Sequence, residues 1–165
     1  MKIDRVPHVG EETVDGTLVL YIRSFLPKAD ISPEYGAQTT LYLGKTPIYC
    51  KEAPDVVASM ADTDRAAAGM LSLAQLHSAN GWPIWFAGEK SEGPVHLYPG
   101  EIRDGVRSAF RVGELVSRVS ETPEQVYALV KSKGGVALPV RPAFMERFIG
   151  VFRGWLGTQR TFEGM

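Results

Sequence analysis

Three histidines are the first residues to consider for chemistry, because an imidazole changes its charge near neutral pH. They are His8, His77 and His96. None belongs to an HExxH or HxH motif, the close spacings at which histidines bind a metal ion. We therefore predict that they are structural or exposed, with no metal site and no catalytic role. The alternative is that His8 and His77, which lie 69 positions apart, face a shared cleft.

Arginines cluster between positions 103 and 118, and a guanidinium suits anion binding because it offers paired donors. Arg107 and Arg111 are four positions apart and so lie on one face of a continuous strand. Acidic residues alternate with these arginines, which favours a solvated surface. The alternative is a site for an anionic or nucleotide-like ligand in a cleft between two halves of the chain, formed by His8, His77, His96, Arg107 and Arg111.

Other signatures of catalysis are missing from the sequence. Cys50 is the single cysteine, which excludes an internal disulfide and a thiolate metal cluster within one chain. No nearby motif supplies a base or an oxyanion-binding loop, so we predict that Cys50 is a small buried hydrophobic residue. The glycine-rich patterns that bind phosphate are also missing. We predict no catalytic residue and no cofactor.

Aromatic residues are the candidates for binding a protein partner. They are Trp82, Trp85 and Phe86 in one predicted strand, and Phe148, Phe152 and Trp155 in an apolar helical stripe of residues 143–156. Core packing is the commoner role of such residues, whereas an exposed aromatic surface would mark an interface. The tail helix has three predicted roles: it packs as core, exchanges between subunits, or lies on a membrane surface.

An internal similarity indicates the elements that hold these residues. Residues 39–60 and 108–129 align without a gap at an offset of 69, with identities at Gly44/Gly113, Glu52/Glu121, Pro54/Pro123 and Val57/Val126. Glycine suits a two-residue type II′ hairpin turn, and proline suits the first position of a helix. Each copy is therefore predicted to contain a tight hairpin and then a helix. In the second copy, Thr122 and Gln125 form a predicted capping box.

A further hairpin is predicted at the start of each half. Asp15-Gly16 and Asn80-Gly81 are the turn signals, and strand-forming residues flank both. We predict an α+β fold and a single domain, 1–165. Its parts are two pseudo-repeated antiparallel β-meander or hairpin-plus-helix halves, 1–66 and 70–134, and an amphipathic C-terminal segment, 136–165.

Composition limits the class of protein. The 165 residues are 44% hydrophobic and 22% charged, which is typical of a globular domain. The net charge is −1, although residues 1–66 carry 7 basic and 10 acidic residues while residues 97–165 carry 10 and 7. This balance makes nucleic-acid binding unlikely as a function. We find no apolar run long enough for a membrane span and no signal peptide, so we predict a cytoplasmic location.

Two functional hypotheses follow from these patterns. The leading one is a non-enzymatic protein-binding or assembly protein, whose partner is another protein or a second copy of itself. It would act through the aromatic residues of the second half and the tail. The alternative is a small-ligand binding protein or enzyme with its site in the cleft described above, and nucleic-acid binding ranks third.

Overall fold

The computed structural model describes residues 1–6, 10–27, 30, 36–102 and 104–140. His8 and the tail residues Phe148, Phe152 and Trp155 lie outside the described residues, as does the predicted tail helix. The strands are β1 (Lys2–Val6), β2 (Glu11–Thr13), β3 (Tyr21–Ser24), β4 (Thr39–Tyr42), β5 (Pro47–Cys50), β6 (Ala74–His77), β7 (Pro83–Phe86), β8 (Ser91–Gly93), β9 (Ser108–Val112), β10 (Leu115–Val119) and β11 (Val136–Ala137). The helices are α1 (Pro54–Ala67) and α2 (Pro123–Ser132).

The strands form two sheets, and the α+β class is confirmed. The larger sheet has the order β2-β1-β5-β4-β3-β7-β6, and the smaller has the order β10-β9-β8-β11. Only the β8–β11 pair is parallel among the described strands. A single bridge between Ser78 and Val119 joins the sheets at the ends of β6 and β10. Because β3 of the first half pairs with β7 of the second, the halves share one sheet.

Both helices begin at the predicted prolines. Pro54 and Pro123 occupy the first helical turn, where a missing N–H removes no internal hydrogen bond. The predicted capping box of α2 is present, since Thr122 Oγ1 accepts from Gln125 N and Gln125 Oε1 accepts from Thr122 N. In α1 the residue before the helix is Ala53, which gives no side-chain cap.

The turns agree with the sequence in the second half and differ in the first. Asn80-Gly81 does connect the paired strands β6 and β7, with Gly81 at φ +78°. The prediction of a hairpin turn at Asp15-Gly16 is wrong. Asp15 Oδ1 accepts from Thr17 N at 2.9 Å and starts a short 3₁₀ turn, Gly16–Leu18, while β1 and β2 pair before this point. The aspartate side chain therefore binds local backbone in a different turn.

The two central hairpins also differ at their turns. Val112 pairs with Leu115, so Gly113 and Glu114 form the predicted two-residue loop, and Gly113 has φ +56°. In the first half Tyr42 is the last residue of β4 and pairs with Pro47, and Gly44 has no positive φ, so the type II′ prediction is wrong there. A side chain built at Gly44 would touch nothing within 4 Å, so no packing tightens this wider turn.

Each helix covers its own hydrophobic core. Residues of α1 pack with β1, β3, β4 and β5, whereas residues of α2 pack with β6, β7, β9 and β10. Trp85 packs against the first core and Phe86 belongs to the second, so β7 lies between the two. A buried ion pair also joins the halves: Arg65 of α1 is fully buried, and its Nη2 lies 2.8 Å from Glu89 Oε2.

Candidate functional site

The two glutamates shared by the halves hold equivalent backbone positions. Glu52 Oε1 accepts from Asp4 N at 2.7 Å, and Glu121 Oε1 accepts from His77 N at 2.9 Å. The residue before each glutamate donates its backbone N–H to the carbonyl oxygen of the same partner, Asp4 or His77. Both glutamates therefore fix the first strand of their half to the hairpin that precedes the helix.

His77 takes part in this structural contact. Its Nδ1 lies 2.7 Å from Glu121 Oε1, and the ring is about half exposed. His77 is not among the residues that line the cleft described below. The structure therefore gives this predicted ligand-binding residue a role in holding β6.

Arg107 and Arg111 were predicted to share a strand face, but only Arg111 lies in a strand, and their contacts differ. Arg111 lies in β9 and pairs across the sheet with Glu92 of β8, with Nη1 3.1 Å from Oε1. Arg107 precedes β9, and its backbone N–H donates to Val119 O at 2.9 Å. Its guanidinium forms no ion pair with any residue that the structure describes.

A cleft in the second half brings together Arg107 and His96. Its volume is about 420 Å³, and it is lined by Pro94, Val95, His96, Leu97, Ile102, Arg107, Ser108, Pro123, Leu138, Pro139 and Val140. These residues come from the loop after β8, the start of β9, the first turn of α2 and the segment after β11. The cleft therefore lies between the second half and the beginning of the C-terminal segment, and none of its lining residues belongs to the first half.

Ser108 is the lining residue that sequence reasoning missed. It is 2% exposed, and its Oγ has no hydrogen-bond partner among the described residues. Its counterpart at the offset of 69 is Thr39, which is also buried but whose Oγ1 donates to Glu52 O at 2.6 Å. Because an unpaired buried hydroxyl is costly, Ser108 is the least satisfied polar group of the cleft lining. The sequence did contain an indication of its role, because Ser108 directly follows Arg107 and aligns with another hydroxyl residue, Thr39, in the first half.

Electrostatics around the cleft favour a negative charge. Arg107 brings a permanent positive charge, and Pro123 marks the N-terminal end of α2, where the helix dipole is positive. Glu101 is near, but it pairs with Arg118, and this contact together with the Tyr98 N–H lowers the pKa of Glu101. Glu121 is held by His77. Glu101 and Glu121 thus have partners other than Arg107, whereas Glu124 adds a negative charge in the first turn of α2.

In the first half, the segment between β3 and β4 contributes a carboxylate, Asp30, that binds the nearby donors. Asp30 is 9% exposed, and its two oxygens accept from Arg23 at 2.6 and 2.8 Å. They also accept from Leu26 N at 2.7 Å and from Thr40 Oγ1 at 3.0 Å. Burial raises the pKa of Asp30, but the bonds from Arg23 and Leu26 outweigh burial, and the pKa falls below its usual value.

The candidate partner-binding aromatics have different surroundings. Trp82 is 54% exposed at the turn before β7. Trp85 is half-buried against the first core. Phe86 is completely buried, and its ring centroid lies 4.2 Å from that of Phe110, so it offers no surface to a partner. Trp85 and Phe86 lie on opposite faces of β7, so both faces of this strand are covered.

Cys50 is completely buried, as predicted, and burial raises the pKa of its thiol to about 12, so a nucleophilic thiolate does not form near neutral pH. Among the described residues no cluster of three or more metal-ligating side chains is present. No described helix combines the length and apolar character that crossing a bilayer requires.

Comparison of the chain with models of protein families, with curated proteins and with solved structures found no match. The functional argument therefore depends on the geometry of the cleft and on the contrast between the two halves.

Proposed function

We propose that this protein binds a small anionic ligand in the cleft of its second half. The observation that carries the proposal is the position of two donors at one cleft: the exposed Arg107 guanidinium has no acidic partner in the described chain, and the buried Ser108 Oγ has no hydrogen-bond partner there. A ligand anion would satisfy both, since guanidinium and hydroxyl groups donate to oxygen. The proposal requires that the Ser108 hydroxyl rotate about χ1 to reach such a ligand, because its Oγ is buried.

Binding without catalysis is the form of this function that the site supports best. A serine nucleophile needs a base within hydrogen-bond reach, and none contacts Ser108 Oγ among the described residues. His96 lines the same cleft, yet it lies on the exposed rim beside Tyr98, with ring centroids 5.8 Å apart. We assign His96 the role of a polar wall that orients the ligand.

We also infer that the two halves are copies of one structural unit. The equivalent contacts of Glu52 and Glu121 support this inference, because each binds the first strand of its own half. Two close approaches support it further. A side chain at Gly16 would clash with Asp64 of the helix end, and one at Gly88 would clash with Lys133, which lies 69 positions after Asp64. The cleft then marks the place at which one copy has diverged.

The test is a thermal-shift and calorimetric screen of the full chain with inorganic phosphate, sulfate, nucleotides and simple carboxylates. We expect at least one anion to raise the melting temperature, because a ligand that binds only the native state stabilises it. Arg107→Gln should weaken binding by about tenfold or more, since charged hydrogen bonds contribute 1.5–3 kcal/mol or so.

The matched control is Arg111→Gln, which removes a guanidinium that is paired with Glu92 outside the cleft. It should leave the affinity unchanged. Equal loss in both variants would point to a general charge effect, and absence of any anion-dependent shift in the wild type would refute the proposed function.

A second candidate function, assembly through an aromatic surface, is supported by Trp82. More than half of this side chain is exposed on a short turn between paired strands, where its loss of conformational freedom on binding is small. Trp82→Ala should lower the mass in solution if a second copy binds there. An unchanged monomer mass for both wild type and variant, over a range of concentrations, would remove this candidate.

A further inference from the structure

We propose that the anion bound in the cleft is a single carboxylate joined to an apolar body. This inference rests on the proposed function and specifies its ligand. Eight of the eleven lining residues are apolar, and the charged or polar ones are His96, Arg107 and Ser108. The ligand therefore needs a small anionic group for the polar part and a hydrocarbon portion for the rest.

The first half shows how this fold binds a carboxylate. In its loop between β3 and β4, the Asp30 carboxylate accepts two hydrogen bonds from one arginine, one from a backbone N–H and one from a threonine hydroxyl. The second-half loop between β8 and β9 has an arginine and a serine hydroxyl at the cleft, but none of the lining residues is acidic. The donors occupy different positions, since Arg23 and Thr40 lie in β3 and β4 whereas Arg107 precedes β9 and Ser108 begins it, although their chemistry is the same. An external carboxylate would supply the missing partner.

The charge of the cleft disfavours phosphate esters and nucleotides. Arg107 is the single permanent cation among the lining residues, whereas a phosphate dianion or a polyphosphate is usually held by several cationic groups or a metal ion. Glu121 and Glu124 lie at the start of α2, within two residues of Pro123, and would repel a second negative charge. A monoanion matches this balance.

The size of the cleft also favours a compact ligand. A volume of about 420 Å³ lies near the lower end of the 300–1,000 Å³ or so that is usual for ligand sites. Two sources offer the same chemistry: a free aliphatic or aromatic carboxylic acid, and the C-terminal carboxylate of a peptide that ends in an apolar residue. Both place one carboxylate beside Arg107 and an apolar group against Leu97, Ile102 and Leu138.

The experiment is a calorimetric titration of the full chain with three hexyl compounds and with a peptide as a fourth probe. Hexanoate tests the carboxylate, hexanamide removes the charge, and hexyl phosphate replaces the carboxylate with a phosphate. The fourth probe is a short peptide with an apolar C-terminal residue, compared with its C-terminal amide. We expect hexanoate or the free-acid peptide to bind at least about tenfold more tightly than its amide, because the guanidinium contact is lost.

Two variants locate the binding. Arg107→Gln should abolish the difference between acid and amide, and Ser108→Ala should reduce it, while Arg111→Gln should preserve it. The melting temperature of each variant without ligand shows whether it still folds. Tighter binding of the free-acid peptide than of hexanoate would identify a polypeptide as the source, and the reverse would identify a free acid.

The outcomes separate the two proposals. If hexyl phosphate binds more tightly than both acids, the proposed function stands and the carboxylate inference is overturned. If acids and amides bind equally, the inference is also overturned, because the charge then contributes nothing. If none of the anions binds, both the inference and the proposed function fail.

Discussion

The two halves of the molecule differ in how the polar groups before the central hairpin are satisfied, as far as the described residues show. In the first half the Asp30 carboxylate satisfies Arg23 and Thr40 from within the chain. In the second half the loop leaves a cleft with Arg107 at its wall and an unpaired Ser108 hydroxyl beneath it. Around Asp30 the polar groups therefore satisfy one another, whereas at the cleft the buried Ser108 hydroxyl has no hydrogen-bond partner among the described residues. A ligand that accepts a hydrogen bond from Ser108 Oγ would remove the cost of leaving that group unpaired.

The largest expected effect comes from removing the internal carboxylate. Asp30→Ala leaves Arg23, which is 17% exposed, without its partner, and loss of one member of a buried pair costs about 3 kcal/mol. Urea unfolding followed by circular dichroism measures the change. The control is Glu114→Gln, since the Lys45–Glu114 pair is exposed on both sides and should contribute less than about 1 kcal/mol.

The contribution of the Asp30 carboxylate to stability should also depend on pH. The folded-state pKa of Asp30 is lowered, so its stabilisation is present above the unfolded value of about 3.9 and is lost as the pH falls through the lower folded value. Asp30→Asn should therefore lower stability at neutral pH and flatten its decline below about pH 4. A variant that declines as steeply as the wild type would show that Asp30 does not account for this acid sensitivity.

The next prediction compares the aligned hydroxyls of Thr39 and Ser108. Thr39→Val should destabilise the protein by about 1 kcal/mol, because the Thr39 hydrogen bond to Glu52 O is lost. Ser108→Ala should be neutral or stabilising by up to about 1 kcal/mol without ligand, because it removes an unsatisfied buried group. Opposite signs in thermal unfolding would sharpen the contrast between the halves, whereas equal losses would indicate that Ser108 has a bound partner.

The last comparison concerns the hairpin turns. Gly113→Ala should cost about 1 kcal/mol, because Gly113 has a positive φ that an alanine adopts poorly. Gly44→Ala should be neutral or slightly stabilising, since Gly44 has no positive φ and open space around it. Melting temperatures of the two variants test this, and a similar loss in both would mean that the turns have the same conformation in solution.

Sequence reasoning succeeded where short-range chemistry decides the structure. Pro54, Pro123 and the Thr122–Gln125 capping box located both helix starts, because these residues act within one turn of chain. Gly113 located a turn for the same reason. Asp15-Gly16 failed because the aspartate side chain bonded to Thr17 N and formed another local turn.

The functional region depends on contacts that local patterns do not encode. The cleft needs the segment after β8, the start of β9 and the segment after β11 to meet, and these are distant in sequence. His77 contacts Glu121, which is 44 positions away, and does not line the cleft. Phe86 is buried because its ring packs against Phe110 of another strand. Residue type identified Arg107 and His96, but only the fold showed that they share a cleft.

The pairing of β3 with β7 has a consequence for the order in which the chain folds during synthesis. Residues of β3, β4 and β5 leave the ribosome early, yet the free edge of β3 stays unpaired until β7 follows, about 60 residues later. An unpaired edge is a site of non-native association during this interval. Ribosomes stalled before and after β7 would therefore carry nascent chains of different protease sensitivity. The first half should become resistant only once β7 of the second half has emerged.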